Sequence, residues 1–98
     1  MITVSIVLTT YNSGDRIREV LNSILNQEGL DKLFRIDLVI VDDCSTDSTT
    51  NIIQDFDIDF ISTHKNTGGP NFGRNIGLQR CTGDFIIIAD HDDVWFSD

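Results

Sequence analysis

Three carboxylates fall within four residues at Asp90-His91-Asp92-Asp93, and the cluster closes the uninterrupted apolar run Phe85-Ile86-Ile87-Ile88-Ala89. A buried strand that delivers acids to its C-terminal end puts oxygen ligands where open α/β sheets bind their ligands. Hard cations such as Mg2+ or Mn2+ are drawn to such oxygens, and crowded carboxylates in turn need a cation to offset their repulsion. His91 reads as a surface histidine, because hard cations prefer oxygen to imidazole. Two more polar clusters, Thr9-Thr10-Tyr11-Asn12 and Asp42-Asp43-Cys44-Ser45, also follow apolar β-branched runs. Any one of the three alone is ordinary turn and cap chemistry. Three at equivalent strand ends predict a shared crevice. One of Asp42 and Asp43 is expected to accept hydrogen bonds from a ligand N–H or hydroxyl there. Tyr11 would offer the ligand an aromatic face or a hydroxyl, or else simply pack at its strand end. Arg74, following the loop Gly68-Gly69-Pro70-Asn71, combines a cation with a helix N-terminus, which suits an anionic phosphate; a plain ion pair with one of the acids is the alternative.

Strands and helices must alternate to bring these clusters together. Thr3 to Thr9 reads as a buried strand, and Ile17, Val20, Leu21, Ile24 and Leu25 recur at helical spacing behind a cap at Asn12 or Ser13, with Gly29 as the stop. Ile36 to Val41 is a second strand, after which Ser45 or Thr46 can cap a short helix carrying Ile52, Ile53 and Phe56. Ile58 to Ser62 forms a third strand. A helix from about Phe72 to Arg80 leads to Gly83 as a left-handed cap and then to the strand at Phe85. Strands alternating with helices predict parallel βαβ units with right-handed crossovers.

Composition narrows the partners. The chain has 98 residues and a formal charge of −9, which opposes nucleic acid as a partner. An anionic ligand would need a cation to mediate it. Neither GxGxxG nor a Walker A sequence is present, so metal-mediated phosphate binding is the remaining route. Cys44 and Cys81 lack metal-site spacing and read as reduced thiols. There is no apolar tract of the roughly 18 residues that a membrane span needs, and the N-terminus alternates like a strand without a basic segment before it. The expected location is cytoplasmic.

Four blocks in order resemble the inverting family 2 glycosyltransferases of GT-A fold. They are Val4 to Asn12; Val41-Asp42-Asp43-Cys44-Ser45-Thr46-Asp47; Asn66 to Gly69 with Gly73-Arg74-Asn75-Ile76-Gly77-Leu78; and Gly83-Asp84-Phe85-Ile86 with Asp90-His91-Asp92-Asp93. The resemblance implies an α/β, Rossmann-like nucleotide-diphospho-sugar-binding fold, with a mostly parallel sheet flanked by helices. It also implies a nucleoside-diphosphate sugar as donor, most often UDP-linked, and a saccharide or lipid-linked acceptor, in the synthesis of cell-surface polysaccharide. By match to the family, Thr9, Tyr11 and Asn12 line the nucleotide pocket, Asp42 and Asp43 meet the nucleotide with Asp43 on the base, and Arg74 serves the phosphates. Asp90 lies near the ribose or sugar, and Asp92 and Asp93 carry the DxD role toward Mn2+ or Mg2+. Members of the family continue well beyond this motif with an acceptor half that supplies the catalytic base. The chain is therefore expected to be a donor-binding domain over residues 1–98, with no catalytic base of its own and membrane association only through other regions. A non-catalytic nucleotide-sugar-binding module of the same fold is the alternative. A phospho-acceptor receiver domain is disfavoured, because its acidic pair follows the first strand and no lysine follows Lys65.

Overall fold

The computed structural model describes residues 2–26, 34–56, 58–63, 65, 67, 68 and 70–90, with the side chains of Pro70 and Asp90 outside that set. Seven elements follow one another: β1 (Ile2–Thr10), α1 (Arg16–Leu25), β2 (Phe34–Asp42), α2 (Thr49–Asp55), β3 (Phe60–Ser62), α3 (Pro70–Arg80) and β4 (Phe85–Asp90). The four strands form one parallel sheet in the order β3-β2-β1-β4. After β1 the chain builds outward through β2 and β3 and then returns to the other side of β1. The order therefore reverses between β1 and β4, and in open α/β sheets the crevice above such a switch point is where ligands bind.

Side-chain alternation along the strands divides the helices between two faces. Ile6, Leu8 and Ile40 form the buried core with Ile17, Val20, Leu21 and Ile24 of α1 and Ile52 and Ile53 of α2. The α1 stripe at i, i+3, i+4 and i+7 is the apolar face that its spacing predicted. On the other face α3 lies against β1 and β2 through two glycines one helical turn apart. A Cβ built on Gly73 would meet Thr9 Cγ2 and Val41 Cγ1, each at 3.3 Å, and one on Gly77 would meet Val7 Cγ1 at 2.4 Å. Gly73 thus sits over the C-terminal strand ends and Gly77 over mid-strand. The helix runs back along β1 with its N-terminus at the switch-point end of the sheet.

Several local expectations need correction. Gly83 is not a left-handed cap, since only Gly14 and Gly68 among the described glycines have positive φ. Its side chain is absent because a Cβ would come within 2.7 Å of the Ser5 backbone nitrogen. The Gly83 N–H donates to Ser5 Oγ at 2.8 Å and the Asp84 N–H to the Thr3 carbonyl at 2.7 Å, which fixes where β4 begins beside β1. Asp15, rather than Asn12 or Ser13, is the N-cap residue of α1, and the first turn starts with an Arg16 N–H bond to the Ser13 carbonyl at 3.1 Å. Ser48 rather than Ser45 or Thr46 precedes α2. The stop expected at Gly29 lies outside the described residues. Cys44 and Cys81 are free thiols, as expected. The strand expected to be buried at Phe85 to Ala89 is instead an edge strand among the described residues: Phe85, Ile86, Ile87 and Ile88 of β4 are each 41–60% exposed, and only Ala89 is buried.

Candidate functional site

Strand register brings the predicted clusters to one place. Thr9 pairs with Val41 on one side and with Asp90 on the other, so the C-terminal ends of β2, β1 and β4 stand side by side. Thr9 is buried under α3, Tyr11 just beyond β1 is 41% exposed, and Arg74 follows Gly73 on the first turns of α3. Asp92 and Asp93, the expected metal ligands, lie outside the described residues, as does the Asp90 side chain. The β4 backbone nevertheless carries Asp90 to the edge of this crevice.

The two adjacent acids divide into different jobs. Asp42 is 1% exposed and its carboxylate is engaged by the protein. Oδ1 accepts from Thr10 Oγ1 and Ser45 Oγ, both at 2.6 Å, and Oδ2 accepts from the Ser45 N–H at 2.8 Å. A carboxylate with that many donors organises the turn after β2. Asp43, 9% exposed, points instead toward the connection between β3 and α3. Its Oδ1 accepts from Thr63 Oγ1 at 2.9 Å and Thr67 Oγ1 at 2.8 Å, while the Thr67 N–H lies 3.1 Å from both oxygens. Among the described residues Oδ2 accepts that shared bond alone. It therefore retains acceptor capacity for a ligand N–H.

Asn12 works mainly between loops. Its backbone has φ 46°, its N–H donates to Ser45 Oγ at 2.9 Å, and its Oδ1 accepts from the Thr46 N–H at 2.8 Å. Ser45 passes the link on to Asp42 through its own hydroxyl proton, so the turns after β1 and β2 form one hydrogen-bonded rim. Thr49 does the same one residue group along, accepting from the Gly14 N–H at 3.0 Å and donating to Asp47 Oδ1. Thr63 and Thr67 were not singled out from the sequence, and polar loop residues without periodicity offered no signal for them.

Partial burial pushes the Asp47 carboxyl up, but hydrogen bonds from the Thr49 side chain and N–H and from the Gly14 N–H outweigh it and hold the group below the ordinary carboxylate value of 3.8. A depressed folded-state value means that this contribution to stability is present above the unfolded value and is lost as pH falls through the folded one. Asp47 is exposed and an amide oxygen can still accept from Thr49, so Asp47→Asn should lower stability at pH 7 by only a few tenths of a kcal/mol, about what a solvent-screened charge is worth. Urea unfolding of both proteins should show that difference closing below the ordinary carboxylate range.

A separate surface groove of about 450 Å³ is lined by Leu38, Val39, Ile40, Asp59, Phe60, Ile61 and Arg80, on the β3 side of mid-sheet. It shares no residue with the strand-end cluster. Its mostly apolar wall lacks the grouped acceptors and donors found there.

The family model described as glycosyl transferase family 2 matches residues 5–98. The chain belongs to this family. It is 36% identical over 97 residues to the poly(ribitol-phosphate) beta-N-acetylglucosaminyltransferase TarS of Staphylococcus aureus, a match that takes in 95% of this chain and 17% of that protein. The crystal structure of S. aureus TarS 1-349 in complex with UDP-GlcNAc superposes with a TM-score of 0.81 at 35% identity, covering 92% of this chain and 26% of the other. The mannosyltransferase PcManGT of Pyrobaculum calidifontis, solved with GDP-Man and Mn2+, gives a TM-score of 0.81 at 27% identity, over 94% of this chain and 28% of its own. The chain thus spans about a sixth to a quarter of the TarS chains it matches. The expected GT-A arrangement, a parallel sheet flanked by helices, is the fold that these enzymes share with it.

Proposed function

We propose that this chain binds the donor of a glycosyl transfer, a UDP-sugar laid across the C-terminal ends of β2, β1 and β4. The observation that carries the reading is Asp43: a largely buried carboxylate whose Oδ1 takes two threonine hydroxyls while Oδ2 takes only a share of one backbone N–H among the described residues, beside the strand-end crevice. Its Oδ2 accepts the N–H of the base, Tyr11 covers the base, and Thr9 and Asn12 shape the wall of the pocket. Asp42 holds that wall rather than the ligand. Asp90 reaches the ribose or sugar, and the N-terminus of α3 with Arg74 meets the diphosphate.

An all-oxygen carboxylate set suits a hard cation, and Asp92 and Asp93 would hold Mn2+ or Mg2+. When bound, that ion neutralises charge on the nucleoside diphosphate as it leaves. A neighbour of similar fold solved with Mn2+ supports this assignment. The sugar passes to a saccharide or lipid-linked acceptor, and no residue of this chain is assigned as the base for the acceptor hydroxyl. No helix among the described residues is long and apolar enough to cross a membrane.

Calorimetric titration with UDP, GDP and CDP, each with and without Mn2+, tests the reading. A carboxylate acceptor favours uracil and guanine, which present a ring N–H on the pairing edge, over cytosine, whose ring nitrogen there is an acceptor. UDP should bind at least about tenfold more tightly than CDP, a difference set by one charge-assisted hydrogen bond and the repulsion that replaces it. Metal removal should abolish most of the affinity. Equal affinities for UDP and CDP, or binding indifferent to metal, would contradict it.

A further inference from the structure

The carboxylate of Asp43 stands on the loop after β2, yet its hydrogen-bond donors come from elsewhere. Thr63 and Thr67 belong to the connection that leads from β3 into α3. Two hydroxyls converge on Oδ1, Thr63 Oγ1 at 2.9 Å and Thr67 Oγ1 at 2.8 Å, while the Thr67 N–H lies 3.1 Å from both Oδ1 and Oδ2. Thr63 Oγ1 also lies 2.7 Å from the Lys65 carbonyl oxygen, so its single hydroxyl proton must be shared between the two acceptors. Thr67 contributes both a backbone and a side-chain donor. Together they define which carboxylate oxygen is taken up by the protein and which remains for something else.

We infer that Thr67 is a positioning residue for base recognition. By engaging Oδ1 it fixes the rotation of the Asp43 carboxylate and presents Oδ2 to the base, an arrangement prepared before the ligand arrives. A carboxylate without that hold would turn freely, and binding would have to cover the cost of ordering it. Because Thr67 lies three residues before Pro70, the first residue of α3, the same contact ties the base end of the pocket to the helix that faces the diphosphate. This inference rests on the assignment of Asp43 to the base.

The test compares Thr67→Val, which keeps the shape and the N–H but loses the hydroxyl, with Thr67→Ser, which keeps both donors. UDP and CDP are titrated with Mg2+ present, and thermal midpoints are recorded. Thr67→Val should weaken UDP about tenfold, the lower end of the worth of one hydrogen bond to a charged group, and leave CDP within about twofold. Thr67→Ser should restore UDP binding. A merely structural role would weaken both nucleotides by the same factor, and that outcome, or an unchanged UDP affinity in the valine variant, overturns the inference. Asp43→Asn separates this failure from failure of the base assignment. If it lowers the UDP preference over CDP while Thr67→Val does not, only the role of Thr67 is lost; if it leaves the preference intact, the base assignment and the inference fall together.

Discussion

Gly77→Ala should destabilise the fold by about 1–3 kcal/mol, the usual cost of forcing a methyl group into a packed contact. The sign is the informative part. Alanine is a better helix former than glycine by about 1 kcal/mol, so in an open helix interior the same change would stabilise. Here the new Cβ would lie 2.4 Å from Val7 Cγ1, with Val7 Cγ2 at 3.3 Å. The helix must lift from β1 or Val7 must move, and Val7 is fully buried. Gly73→Ala provides the comparison, since its contacts with Thr9 Cγ2 and Val41 Cγ1 are 3.3 Å, within reach of small adjustments that the gain in helix propensity offsets. It should change stability by less than about 1 kcal/mol. Urea unfolding checks both, and adding Val7→Ala to the Gly77 variant should recover part of the loss as a positive coupling in a double-mutant cycle. Because α3 carries Arg74 and brings its N-terminus to the strand ends, the Gly77 variant should bind nucleotide more weakly as well.

The neighbouring acids provide the second large contrast. Asp42→Ala should cost about 3 kcal/mol of stability, because it leaves the Thr10 hydroxyl and both Ser45 donors without their acceptor in a buried turn. Asp43→Asn should instead leave the unfolding midpoint within about 1 kcal/mol of wild type, since the amide oxygen still accepts from Thr63 and Thr67. Its effect falls on the ligand: the amide N–H2 that replaces Oδ2 repels a base N–H, and UDP affinity should fall at least about tenfold. Denaturation and calorimetry on the two variants read these outcomes separately. Two identical side chains, one residue apart, thus differ in kind.

Residue types alone do not reveal that difference, since Asp42 and Asp43 are interchangeable turn acids; only the family resemblance singled out Asp43 for the base. The difference arises because successive residues at a strand end point to opposite sides, and what each meets depends on loops distant in the chain. The elements themselves were legible for a plain reason: the apolar stripe of α1 and the β-branched runs of β1 and β2 are local patterns that burial enforces, and the Ile run of β4 carries strand propensity even where it is exposed. The convergence of three strand ends could be expected from parallel βαβ logic, and the order β3-β2-β1-β4 adds the switch point that makes the crevice. Close approach was beyond reach. Gly77 and Gly83 are glycines because Val7 and the Ser5 backbone occupy the space of a side chain, which no pattern around either glycine reveals. Asn12 read as a helix cap because asparagine favours caps, but a left-handed backbone and the Thr46 N–H give it another use.

The central claim is that a nucleotide sugar lies across the strand ends and not in the apolar groove beside β3. Two-dimensional 15N–1H spectra of the chain titrated with a UDP-sugar and Mg2+ test this directly. Shifts confined to the amides of Thr9 to Asn12, Asp43, Thr63, Thr67, Gly73 to Arg74 and Asp90 to Asp93, and lost when the metal is chelated, are the predicted result. Shifts centred on Leu38 to Ile40, Phe60, Ile61 and Arg80, or none at saturating ligand, would contradict the account.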